Sequence, residues 1–196
     1  MPAAPVVIVG AGLAGYTLAK ELRRLAPACA ITLVSADRGE LYSKPMLSNA
    51  LAQGRSAASL VQASAAEQAQ RLSITVQPGC HVLSIDRARH ALLCGDGAIA
   101  YGQLVLAIGA RPRNLAVSGA EHALSLNHLD DYDRFRTCLR PGAGVVILGA
   151  GLVGCEVAND LALAGHAVTV VEPAGMPLAR MLPGALATRL RDSLSA

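Results

Sequence analysis

Apolar residues in this chain come in short runs, and each of the clearest runs leads into a stretch with helical spacing. Near the start, "PVVIVG" is a β-branched run of the kind that forms a strand buried on both faces. "LAGYTLAKELRRLA" follows with apolar residues at helical intervals and stops just before Pro27. "AITLVS" is a second buried run, and strand, helix and strand in that order require a parallel sheet. The same unit returns later: "VVILG", a helix over 152–164 with Gly165 as its stop, and "AVTVVE".

Between the two units the pattern changes. An alanine-rich helix is predicted over 57–72, then a strand at "SITVQ". "HVLSID", "HALLC" and "AIAY" are short segments separated by "RAR" and "GDG", which reads as an antiparallel meander. "QLVLAIGARP" reads as a buried strand ending at Gly109. Periodicity is lost between Arg111 and Gly119, so the expected domains are residues 1–110 and 111–196. "ALSL" is a further strand candidate, and Asn127 is the expected cap of a helix running to about Leu139.

The two units share more than their pattern. "VVIVGAGLAG" from Val6 and "VVILGAGLVG" from Val145 agree at eight of ten positions. A lone GxGxxG says little, but each copy here follows a strand, opens a helix and precedes a second strand with an acidic residue near its end. In the first copy Gly10 permits the tight turn, Gly12 lets a pyrophosphate approach the backbone, and Gly15 packs helix against strand. Leu13 and Ala14 open the helix, whose free amides and dipole face the phosphates. Gly149, Gly151 and Gly154 repeat those roles. The expected fold class is therefore α/β: two Rossmann-like parallel-sheet nucleotide-binding units, the first with an antiparallel β-meander.

Glu172 closes "VTVVE", where a carboxylate can accept both hydroxyls of a ribose and would repel a 2′-phosphate. The second site is thus expected to prefer NAD(H) to NADP(H). The first unit ends "LVSAD", which puts Ser35 at the strand end and Asp37 beyond it as a less regular ribose site. Two dinucleotide sites imply two dinucleotides, one a bound flavin and the other a diffusing nicotinamide.

Composition narrows the remaining classes. Aromatic residues reach 3% and the net charge is +3, so neither a base-stacking surface nor a polyanion partner is expected. No uninterrupted apolar run reaches 18 residues, so no membrane span is expected. The five cysteines contain no CxxC pair and, with the scattered histidines, no metal-ligand spacing. Their odd number without a secretory signal fits reduced thiols and a cytoplasmic protein.

"YSKPMLS", "LVLAIGA", "GAGLVGCEVANDL" and "LNHLDDYDRFR", in that order, resemble the FAD-dependent pyridine-nucleotide oxidoreductases, and among them the rubredoxin–NAD reductases. The resemblance covers nearly the whole chain. It implies that the first motif and Asp37 hold the FAD diphosphate and ribose, and that Val82 offers backbone contacts to adenine. Gly109 stands in Ala107-Ile108-Gly109, where the family usually has "ATG"; the missing threonine leaves backbone contact as its role.

The resemblance also places Lys44 and Pro45 beside the isoalloxazine ring, where a cation would stabilise negative charge on reduced flavin. Glu156 would face the flavin–nicotinamide junction, and Lys44 and Glu156 are then the candidate catalytic residues. Taken alone, Lys44 reads as a solvated surface charge and Glu156 as a first-turn glutamate favoured by the helix dipole.

Departures from the family matter as well. No cysteine lies in 41–49, where the disulfide reductases of this family carry a redox pair, so neither a dithiol nor a single-cysteine relay is expected there. Oxygenase-coupled ferredoxin reductases more often read "RPPLSK" in this loop, whereas Asn49 occupies the last position here. The resemblance is to the N-terminal half of a longer protein, so this chain is expected to be truncated and inactive alone. In the whole protein NADH would pass hydride to FAD, and single electrons would go on to rubredoxin or a similar iron–sulfur protein. The alternatives are the flavin domain of a ferredoxin or nitrite reductase, or a dinucleotide-binding module without turnover.

Overall fold

The structure is a computed structural model that describes residues 5–95, 97–113 and 115–195. Its contacts divide the chain into two compact units, Met1–Lys44 with Leu60–Arg113, and Pro45–Ser59 with Asn114–Ala196. Among the described residues no helix is long and apolar enough to cross a membrane.

The first unit begins with β1 (Val6–Val9), α1 (Leu13–Leu25) and β2 (Ile31–Val34). A short strand β3 (Leu41–Tyr42) comes next. The chain then passes into the second unit over Pro45–Ser59 and returns at the end of α2 (Ala57–Leu60), after which follow β4 (Val61–Ala63), α3 (Ala65–Leu72) and β5 (Thr75–Gln77). The meander is β6 (Val82–Asp86), β7 (Ala91–Cys94) and β8 (Gly97–Ala100), and β9 (Gln103–Leu106) closes the unit. The main sheet is parallel in the order β5-β2-β1-β9, so β1 is central and all four of its residues are buried.

Strand alternation sorts that sheet's side chains onto two faces. Val6 and Ile8 join Ile31 and Leu33 under Tyr16 and Ala19 of α1 and Leu72 of α3. Val7 and Val9 face the other way, packing with Val34 against Leu92 and Tyr101 of the meander region. The unit is thus a sheet with helices on one face and a meander on the other, and both faces need β-branched residues.

In the second unit, α4 (Leu129–Cys138) precedes β10 (Val145–Leu148), α5 (Leu152–Leu163), β11 (Val168–Val171) and α6 (Gly184–Leu194). β10 and β11 pair in parallel, Val145 with Val168 through Leu148 with Val171, and α5 packs on them. Val146, Leu148, Val170 and Val171 are exposed, although β10 nearly repeats the sequence of fully buried β1. Burial here follows the number of neighbouring strands, not the strand's own residues.

Several expectations from the sequence need correction. The helix expected over 57–72 is interrupted: residues 61–63 form β4, antiparallel to β3, and α3 starts afresh. Ser64 and Glu67 make a capping box that fixes this start, the Ser64 hydroxyl accepting the Glu67 N–H and the Glu67 carboxylate accepting the Ser64 N–H. Residues 123–126 form no strand. The cap of α4 is His128, not Asn127; the Asp131 carboxylate accepts the N–H groups of both. The β9 strand stops at Leu106, short of Gly109. By contacts the first unit ends at Arg113, and Pro45–Ser59 groups with the second unit.

Candidate functional site

Both glycine turns sit at the carboxyl ends of parallel strands, where open α/β sheets bind ligands. In the first, Gly10 has φ +114° and its N–H donates to the Val34 carbonyl at 2.7 Å. A Cβ on Gly10 would lie 2.2 Å from the Ala107 carbonyl oxygen, so the stretch leading to Gly109 passes directly behind this turn. A Cβ on Gly15 would lie 1.9 Å from the Gly10 carbonyl oxygen, which makes Gly15 a packing requirement between α1 and the turn.

Gly12 differs from both. Its φ is −73°, open to any residue, and a Cβ there would meet nothing within 4 Å. The protein itself therefore gives no steric reason for glycine at this position. Gly12 is the N-cap of α1 and makes no side-chain cap, so the first amides of the helix are presented to whatever approaches. The second turn repeats the division of labour. Gly149 has φ +106°, a Cβ on Gly154 would lie 2.1 Å from the Gly149 carbonyl oxygen, and one on Gly151 would meet nothing. Both turns fit a pyrophosphate approaching over the middle glycine.

Around the first turn the structure gathers several of the predicted residues. Buried Ser35 donates its hydroxyl to Asp37 Oδ1 at 2.5 Å, and the Gly39 N–H donates to the same oxygen at 2.9 Å. The Cys80 N–H donates to the Ser35 carbonyl and the Gly79 N–H to that of Asp37, so the backbone leading to Val82 runs beside the end of β2. Val82 is half-buried and packs on the same core as Val9 and Val34. Tyr16 of α1 donates its hydroxyl to the Gly39 carbonyl at 2.5 Å, which braces the Asp37 loop against the helix. Burial, then the Asp37 charge, pushes the Tyr16 phenol up to about 12.

The second turn is organised by Glu172, just past β11. One carboxylate oxygen accepts the Ala150 N–H at 2.8 Å and the other the Ala174 N–H at 3.1 Å. These two bonds, Ala150's first, hold the Glu172 carboxyl below the usual carboxylate range. Cys155, half-buried, lies close by, but burial and the carboxylates of Glu172 and Glu156 push its thiol up, which does not suit a nucleophile.

Lys44 is exposed and opens a 3₁₀ turn, Lys44–Ser48; Pro45 is exposed too, and its carbonyl oxygen lies 2.9 Å from the Ser48 hydroxyl. Glu156 has a partner that sequence reasoning missed. Ser48, buried, donates its hydroxyl to Glu156 Oε2 at 2.5 Å. Asp160, one helical turn further and also buried, accepts the Leu51 N–H at 2.8 Å and the Ala52 N–H at 3.0 Å, one on each oxygen. The available signal was the spacing: Glu156 and Asp160 stand four apart, on one face of α5.

The profile of the family described as pyridine nucleotide-disulphide oxidoreductase matches residues 4–196. The chain belongs to that family. It is 41% identical over 181 residues to the rubredoxin-NAD(+) reductase of Alcanivorax borkumensis, covering 91% of this chain and 47% of the relative. It is 38% identical over 189 residues to the nitric oxide reductase FlRd-NAD(+) reductase of Aeromonas hydrophila, covering 96% and 49% respectively. Among solved structures, the ferredoxin reductase for the CYP199A2 system from Rhodopseudomonas palustris superposes with TM-score 0.89 at 34% identity, over 98% of this chain and 48% of that one. The chain thus spans about half the length of the curated family members it matches.

Proposed function

We propose that this chain carries the FAD-binding and NADH-binding turns of an oxidoreductase that takes hydride from NADH and passes single electrons to rubredoxin or a similar iron–sulfur protein. The observation that carries the reading is the pair of middle glycines, Gly12 and Gly151, each with open space where a side chain would stand. Family membership and the relatives named for rubredoxin and flavorubredoxin support the acceptor class. Five free cysteines support a reducing, cytoplasmic setting.

FAD, once bound, supplies the chemistry that joins a two-electron donor to one-electron acceptors. The chain's own residues bind and orient. The amides opening α1 face the FAD pyrophosphate, with Asp37 for the ribose and the backbone at Gly109 and Val82 completing the first site. The amides opening α5 face the pyrophosphate of NADH, and Glu172 takes the adenosine ribose with the lone pairs its two backbone bonds leave. Lys44 contributes a positive charge for the flavin, and Glu156 a carboxylate for the nicotinamide end.

The test is a chimera in which these 196 residues replace the matching half of the Alcanivorax borkumensis reductase. Rubredoxin-dependent NADH oxidation comparable to the parent supports the reading. A folded chimera that keeps nucleotide but shows no turnover supports instead a binding module without catalysis.

A further inference from the structure

Two carboxylates on one face of α5 grip the segment Pro45–Ser59. Glu156 is bonded to the Ser48 side chain, and Asp160 to the backbone of Leu51 and Ala52. Ser48 has a single hydroxyl proton and two acceptors in reach, the Pro45 carbonyl at 2.9 Å and Glu156 at 2.5 Å. The hydroxyl is donated to the nearer acceptor, the Glu156 carboxylate, because hydrogen bonds to a carboxylate are shorter and stronger than those to a carbonyl. The Ser48 hydroxyl then fixes one oxygen of Glu156 and leaves the other free to point elsewhere.

Ser48 can do this only if its own segment is held. Asp160 supplies the hold, and only a carboxylate suits the place: both oxygens receive backbone N–H groups, so an amide would set its NH₂ against one of them. Further along, the Arg55 carbonyl accepts the Tyr132 hydroxyl at 2.8 Å and a guanidinium N–H of Arg136, which ties the far end of the segment to α4.

Along α5 the order is Gly151 at the N-cap, Glu156 one turn in, and Asp160 a turn beyond. We infer that Ser48 and Asp160 are positioning residues, which hold the Glu156 carboxylate in the orientation that meets the nicotinamide end of the dinucleotide. The inference rests on the proposed NADH site at the second glycine turn. Glu156 touches the ligand; Ser48 orients Glu156; Asp160 keeps Ser48 in place.

The test compares two probes on the full 196-residue chain, NADH and ADP-ribose, which share everything up to the second ribose but differ in the nicotinamide. Ser48→Ala and Asp160→Asn should each weaken NADH about three- to tenfold, the worth of one hydrogen bond, while ADP-ribose stays within about twofold. Asp160→Asn should also speed tryptic cleavage after Arg55, whose carbonyl the docked segment keeps engaged. Equal losses for both probes would mean that the residues only support the fold, and no loss for either would mean that Glu156 needs no orienting; each result overturns the inference. If the unmodified chain binds neither probe, the nucleotide site itself is wrong and the inference falls with it.

Discussion

The Glu172 carboxylate accepts the Ala150 N–H across 22 residues at 2.8 Å, joining the end of β11 to the turn that opens α5. The residue proposed to read the ribose therefore also shapes the phosphate turn. Because its folded pKa lies below the ordinary value, its contribution to stability is present above that value and lost as pH falls through the folded one. Thermal midpoints of the unmodified chain and Glu172→Gln should differ most near neutral pH and converge below the usual 4.5. A gap that persists unchanged to about pH 3 would show that the Ala150 bond does not depend on the charge.

Glu172 also sets nucleotide choice in this account. Fluorescence titration should find NADH bound more tightly than NADPH, with the preference narrowed in Glu172→Ala. Tighter NADPH binding by the unmodified chain would contradict the ribose assignment.

The glycines of each turn should separate by function. Gly15→Ala puts a Cβ against the Gly10 carbonyl and should cost about 1–3 kcal/mol in chemical denaturation. Gly12→Ala meets open space and should cost within about 1 kcal/mol. Equal costs would mean that Gly12 answers to the protein's own packing.

How far the sequence alone reached depended on whether a feature was local. The strands β1, β2, β10 and β11 and the helices α1 and α5 were legible because apolar runs and glycine spacing are written in consecutive residues. Residues 57–72 were misread because alanine suits a helix and the strand there exists only through its pairing with β3. The Ser64-x-x-Glu67 capping box was present and would have marked the true start of α3. The bonds from Ser48 to Glu156 and from Leu51 and Ala52 to Asp160 could not be read from the sequence, since more than 100 residues separate the partners in each. The same distance hides from the sequence that Pro45–Ser59 groups by contacts with the second unit.

Tyr16 offers a check on the first site that is independent of any ligand. Its hydroxyl bond to the Gly39 carbonyl is buried, so Tyr16→Phe should cost about 1–2 kcal/mol by leaving that carbonyl unpaired. With the folded pKa raised to about 12 from 10.0, the chain should be fully stabilised by this group below pH 10.0 and lose that stability as pH rises toward 12. The alkaline loss should be smaller in Tyr16→Phe; an identical alkaline profile would place the titration elsewhere.

The central claim is that the repeated turn serves two different dinucleotides, FAD at the first and NADH at the second. Its most direct test is to titrate both ligands against the unmodified chain, Gly12→Val and Gly151→Val, after circular dichroism has established that all three are folded. Gly12→Val should lose FAD and keep NADH, and Gly151→Val should lose NADH and keep FAD, because each valine fills only the space left over its own turn. Loss of both ligands from one variant, or of neither from both, would contradict the assignment of the two turns.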